Sequence, residues 1–335
     1  MRKKLFFIFG FFFFIFLGSV LYFFVGSAPA QKDIAWGVNF SQMHAEHLTL
    51  DWRAVYAALF DDLGARRIKI AVQWDFIEGD AQDEYFFNDI DWQVREAEQR
   101  NAKLLLAIGM KTPRWPECHI PQWAKNLSKE DQQKQILELL QAIVGRYRNS
   151  PAIWGWQVEN EPFFAFGECP WADSAFYRKE IALVKSLDPD HPVVATTSGE
   201  GSFWTRAART GDIVGTTLYR KVWFRQLNLY VNYPFPPVFY WRKVQLINTF
   251  FGKEVIGVEL QAEPWGPKLL YDLSLKEQMK TMNLSQFQKN IEFAKRTGLK
   301  EFYLWGAEWW YWLKETQNNP AIWDEAEKLF PSTQY

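Results

Sequence analysis

The chain carries almost no excess charge: 38 Lys and Arg stand against 39 Asp and Glu, a formal net charge of -1. Nothing in that balance points to nucleic acid or to an acidic substrate. Histidine is sparse. His44, His47, His119 and His191 are the only four. His44 and His47 could share a helical face, but no Cys or acidic partner completes a metal-ligand pattern. Neither a metal nor an organic cofactor is therefore expected. No glycine-rich phosphate loop follows the first apolar strand, which argues against nucleotide binding. There is no internal repeat and no Gly/Ser linker, so residues 33–335 read as one domain, long enough for one large barrel.

Residues 1–30 stand apart. Arg2-Lys3-Lys4 precedes an uncharged apolar run from Leu5 to Val25, about the ~20 residues that span a bilayer as a helix. A basic flank of this kind stays in the cytoplasm and sends the following chain across. Ala28-Pro29-Ala30 also fits a signal-peptidase site, although the run exceeds the usual ~7–15 residues of a cleaved segment. The expectation is a membrane anchor with the globular part extracytoplasmic, or a secreted protein if the segment is removed.

From Asp33 onward, short apolar runs alternate with helical patterns. Strands are expected at 34–40, 67–74, 103–109, 153–158, 192–197, 212–218, 254–259 and 301–306. Helical spacing marks 51–63, 91–100, 128–147, 172–187, 284–297 and 321–330, with a further helix inside 237–251. Ser128 reads as an N-cap. Eight strands separated by helices are βα repeats, and such crossovers build a parallel sheet.

The most informative stretch is Ile153-Trp154-Gly155-Trp156-Gln157-Val158-Glu159-Asn160-Glu161-Pro162. An apolar, β-branched and aromatic run reads as a strand buried on both faces. It ends in polar groups, where a TIM barrel keeps its catalytic residues. The stretch resembles the fourth strand of the cellulase-like, retaining clan A glycoside hydrolases. A second stretch, Glu254-Val255-Ile256-Gly257-Val258-Glu259-Leu260-Gln261, matches the clan's seventh strand, and its Glu-Leu-Gln is similar to β-galactosidase-type members. The resemblance implies a (β/α)8 TIM barrel with Glu161 as acid/base, Asn160 on the sugar 2-hydroxyl and Glu259 as nucleophile. Retaining hydrolysis needs two such carboxyls about 5–5.5 Å apart.

The resemblance also implies supporting residues. Trp305 would floor the sugar site, and Tyr219 would hydrogen-bond the nucleophile. Lys69 stands where the clan commonly has Arg; it lacks the forked contact of Arg but can orient a carboxylate as a point charge. Glu308 and Glu263 are further cleft carboxylates. His44 and His119, after strands one and three, are placed for substrate hydrogen bonds. Glu263 competes with Glu259 as nucleophile. A strand end positions a side chain better than a loop, and strand alternation would send Val255, Gly257 and Glu259 inward and Ile256 and Val258 outward. Cys118 and Cys169 follow adjacent strands and could form a disulfide in an oxidising compartment. The aromatic segment 219–237 exceeds the ~2–6 residues usual for a βα loop; it reads either as a wall of the cleft or as a loop packed on the barrel or bilayer. The expected function is retaining hydrolysis of a β-linked oligo- or polysaccharide. The alternatives are a barrel that binds glycan without cleaving it, and a transglycosylase. No obligate protein partner is implied.

Overall fold

A computed structural model of the chain describes residues 2–79 and 81–330, with side chains from residue 10 onward. The ends of the expected 1–30 and 33–335 segments thus fall outside the described residues. Among the described residues ten strands occur in chain order: β1 (Ala35–Phe40), β2 (Arg67–Ala71), β3 (Lys103–Ile108), β4 (Ile153–Val158), β5 (Val193–Thr197), β6 (Ile213–Leu218), β7 (Lys221–Phe224), β8 (Leu229–Asn232), β9 (Glu254–Gln261) and β10 (Glu301–Trp305). Eight of them close a parallel barrel in the order β1-β10-β9-β6-β5-β4-β3-β2, with helix after each, in the case of β6 only after β7 and β8. The fold is a TIM barrel. β7 and β8 pair antiparallel in a hairpin that fills the long aromatic segment.

The strands are apolar on both sides because helices cover one face and the barrel interior takes the other. Leu105, Val194, Ile256, Val258 and Tyr303 form a cluster of their own. They come from β3, β5, β9 and β10, which can meet only inside the barrel. The rest of the core lies between sheet and helices, with Leu139, Leu140, Ile143 and Val144 of helix Lys129–Tyr147 fully buried there. Ser128 caps that helix, its hydroxyl accepting from Asp131 N at 3.1 Å.

The cluster corrects the expected alternation in β9. Ile256 and Val258 point inward, and Val255 belongs to the outer layer. The register explains how Glu259 still reaches the mouth. Thr216 pairs with Gly257 but Thr217 with Glu259, so Val258 is an extra residue, a β-bulge that resets the alternation.

Other differences are local. β2 stops at Ala71, and Trp74 begins a short helix, Trp74–Ile77. A helix, Ala307–Thr316, follows β10 directly; its aromatic run hid it, and the chain turns into it at Gly306, with φ at 132°. The N-terminal helix spans Arg2–Phe24. Its last turn packs Phe23 and Phe24 on Phe239 at 5.8 and 5.4 Å between ring centroids. Among the described residues no helix is long and apolar enough to cross a membrane; the side chains of residues 2–9, where the apolar run begins, lie outside them.

Candidate active site

Glu161 follows β4, and Glu259 sits at the bulge near the end of β9; both are buried. Glu161 and Glu159 take left-handed backbone angles, with φ of 42° and 56°. Such angles are uncommon outside Gly and cluster at functional sites. Glu161 N donates to Thr196 Oγ1 at 2.8 Å, and Thr217 Oγ1 donates to Glu161 Oε1 at 3.2 Å. Thr217 is the register partner of Glu259, so one β6 residue touches one carboxyl and pairs beside the other.

Each oxygen of Glu259 accepts a hydrogen bond: Lys69 Nζ to Oε1 at 3.3 Å, and the Tyr219 hydroxyl to Oε2 at 2.8 Å. Burial, then the charges of Glu259 and Glu117, push the Glu161 carboxyl up to about 8. Burial pulls the Lys69 amine below its ordinary value, against Glu259, which supports its charge.

The loop after β3 crosses the mouth. The Cys118–Cys169 disulfide fastens it to the loop after β4. Asn160 Nδ2 donates to Glu117 Oε2 at 2.9 Å, while Gln157 Nε2 donates to Asn160 Oδ1 at 3.1 Å. Burial pushes the Glu117 carboxyl up to about 8. From the same loop Arg114 reaches Glu263, which it grips with both terminal nitrogens, and Glu308, at 3.2 Å. His44 Nε2 lies 3.5 Å from Glu263. Burial works against ionising Glu263, but Arg114 and His44 outweigh it and hold the carboxyl down at about 2. Glu308 accepts from Ser41 N at 2.5 Å.

Arg114 also lies on Trp305, its guanidinium carbon 4.0 Å from the ring centroid. Between Asn39, Lys69, Arg114, Trp305 and Glu308 only about 10 Å³ is free. His119 is 1% exposed. Its Nε2 lies 3.3 Å from Gln73 Nε2 and 3.1 Å from Arg114 O, so it supports the loop from below rather than facing the cleft. The hairpin stands beside Glu259: Gln261 Oε1 accepts from Arg220 N and Lys221 N at 2.8 and 2.9 Å, and Trp223 N donates to Trp265 O at 3.2 Å.

The structure thus gathers Glu161, Glu259, Asn160, Tyr219 and Lys69 at one centre, and Glu263, Glu308 and Trp305 around Arg114. Sequence reasoning passed over Arg114, Glu117 and Thr217. The first two sit in the rigid Pro113–Cys118 stretch beside a cysteine, the one signal that could have found them; Thr217 looks like any strand residue.

No family model matches the chain. A mannan endo-1,4-beta-mannosidase A of Podospora anserina is 31% identical over 131 residues, 33% of this chain and 31% of that protein. The chain therefore spans about a third of that curated relative's length. An endo-β-1,4-mannanase structure from Thermotoga petrophila superposes with a TM-score of 0.56 at 14% identity, covering 92% of this chain and 78% of that one. Native xylanase 10B from Thermotoga maritima gives 0.57 at 14% identity, over 89% and 95%. At such identities the solved structures speak for the fold. By sequence over a third of its length and by fold over most of it, the chain resembles the clan A, cellulase-like glycoside hydrolase superfamily.

Proposed function

We propose that the chain is a retaining β-glycosidase with Glu161 as acid/base and Glu259 as nucleophile. The reading is carried by two buried carboxyls at the mouth of the barrel, at the ends of β4 and β9, one of them kept protonated partly by the charge of the other. Glu161 protonates the glycosidic oxygen while Glu259 attacks the anomeric carbon. Once Glu259 is an ester its charge is gone, and with it one of the causes that hold the Glu161 proton. Glu161 then takes a proton from water, which attacks the anomeric carbon, releases the sugar with retained configuration and restores Glu259.

Lys69 and Tyr219 orient Glu259. Glu263 is committed to Arg114 and His44, which favours Glu259 over it as nucleophile. Asn160, fixed by Glu117, meets the sugar 2-hydroxyl; Glu263, Glu308 and Trp305 shape the site through Arg114. A β-linked mannan is the first substrate to assay, because the relatives matched by sequence carry that activity in their names. The same reading has the helix Arg2–Phe24 tether an extracytoplasmic barrel to a membrane, supported by the uncharged run Leu5–Val25; pelleting with membranes after a carbonate wash tests it.

Proton NMR of mannan, xylan and aryl β-glycoside digests should show the β-anomer first, and a 2-fluoro sugar should label Glu259. The α-anomer first, or label on Glu263, would overturn the assignment. A barrel that binds glycan without cleaving it is the second reading, favoured by the guanidinium that covers Trp305; any turnover excludes it. A transglycosylase would differ by making products longer than its substrate.

A further inference from the structure

We propose that Lys243, on the outer helix Pro237–Phe251, is a positioning residue for both carboxyls, acting through the turn Gly199-Glu200. The inference rests on the assignment of Glu161 and Glu259 above.

The turn follows β5 and lies directly on β6. A Cβ on Gly199 would stand 1.8 Å from Thr217 O, so no other residue fits there. Gly199 N donates to Thr217 Oγ1 at 3.1 Å, and that hydroxyl donates onward to Glu161 Oε1 at 3.2 Å. The next residue serves the other carboxyl. Glu200 Oε1 accepts from Tyr219 N at 2.9 Å, and the Tyr219 hydroxyl donates to Glu259 Oε2 at 2.8 Å. Two adjacent residues therefore stand one side chain away from the acid/base and the nucleophile. If the turn shifts, both move.

The outer helix pins this turn twice. Lys243 Nζ donates to Gly199 O at 2.6 Å, and the Tyr240 hydroxyl donates to Glu200 Oε1 at 3.1 Å. The two lie three residues apart, on one helical face. Lys243 is 1% exposed. Its amine sits 4.0 Å from the centroid of Trp204 and 4.8 Å from that of Phe239, and among the described residues its only hydrogen-bond acceptor is Gly199 O. Burial drives the amine down to about 7. Burying an amine costs stability where an apolar side chain would not. What an apolar side chain of equal length lacks is the donor for Gly199 O.

The test compares Lys243→Met, which keeps the length and loses the donor, with Lys243→Gln, which keeps a donor, both in the full chain. On an aryl β-glycoside the Met variant should lose about tenfold or more in kcat with KM within about twofold, since misplacement by an ångström is costly to the chemical step. Its Tm should hold or rise, and the Gln variant should fall nearer to wild type. Its crystal structure should show the Tyr219 hydroxyl out of reach of Glu259. Wild-type kcat, a kcat loss shared equally by Met and Gln variants, or an unmoved Gly199 and Tyr219 would each overturn the proposal. The crystallographic arm decides even if the wild type proves inactive, so failure of the glycosidase reading stays distinguishable. Should Lys243→Met not fold, Tyr240→Phe removes the second pin and is read the same way.

Discussion

Replacing Glu259 with Gln should lower the pH at which Glu161 titrates. The two carboxyls are coupled: burial is the first cause that raises Glu161 to about 8, and the charge of Glu259 is the second. A retaining pair stands about 5.5 Å apart. At that distance, with an effective dielectric of about 20, two unit charges repel by about 3 kcal/mol. This corresponds to about two pH units. Glu161 in Glu259→Gln should thus titrate near pH ~6, still above an exposed Glu because burial remains. Carbon-13 NMR of protein labelled at the Glu carboxyls measures this, the Glu161 signal being the one absent from Glu161→Gln. The assay needs no substrate. Titration of Glu161 at the same pH in wild type and Glu259→Gln would mean that the carboxyls do not face each other, and the double-displacement assignment would fall with it.

Three further outcomes follow from the same site. Hydrolysis should decline as pH rises through about 8, because Glu161 then loses the proton it must donate; a pH–rate profile flat to pH 10 would contradict its role as acid. Arg114→Ala takes the guanidinium from two buried carboxyls, leaving Glu263 with His44 and Glu308 with Ser41 N, which should cost about 3–5 kcal/mol, roughly 5–8 °C in Tm; an unchanged melting curve would show that the clamp does not form. Cys118 and Cys169 are 51 residues apart, so replacing both with Ser should destabilise the fold by about 4 kcal/mol in the chain-entropy view, and denaturant unfolding that leaves the midpoint in place would refute a formed bridge.

The barrel was legible because its strands are buried on both faces and its helices repeat at 3.6 residues; both patterns survive in a single sequence. Glu161 and Glu259 were legible because each ends an apolar run abruptly, which puts a charge where a buried strand leaves the core. Arg114 and Glu117 were less so. Their partners lie far along the chain, Arg114 and Glu263 being 149 residues apart, and no local period encodes a contact across the mouth. The hairpin hid for a different reason: Leu227 and Leu229 are exposed, so its tip breaks the rule that apolar residues mark the core.

The β9 bulge shows how simple alternation placed Glu259 at the mouth by the wrong route. Counting by twos from Glu259 sends Ile256 and Val258 outward, yet both fill the barrel. One extra residue before Glu259 turns its carboxyl back toward the mouth. The bulge has a polar consequence, because Val258 O is a buried acceptor and needs a donor. Asn39 Nδ2 supplies one at 3.1 Å, and Lys69 Nζ another at 3.3 Å. The same Lys69 Nζ also reaches Glu259. An ammonium presents three donors in different directions, and Lys69 spends two of them here, one on a carbonyl and one on a carboxylate. Lys69 is therefore tied to the bulge: the residue that completes the strand's backbone also steadies the carboxylate which the bulge turned toward the mouth.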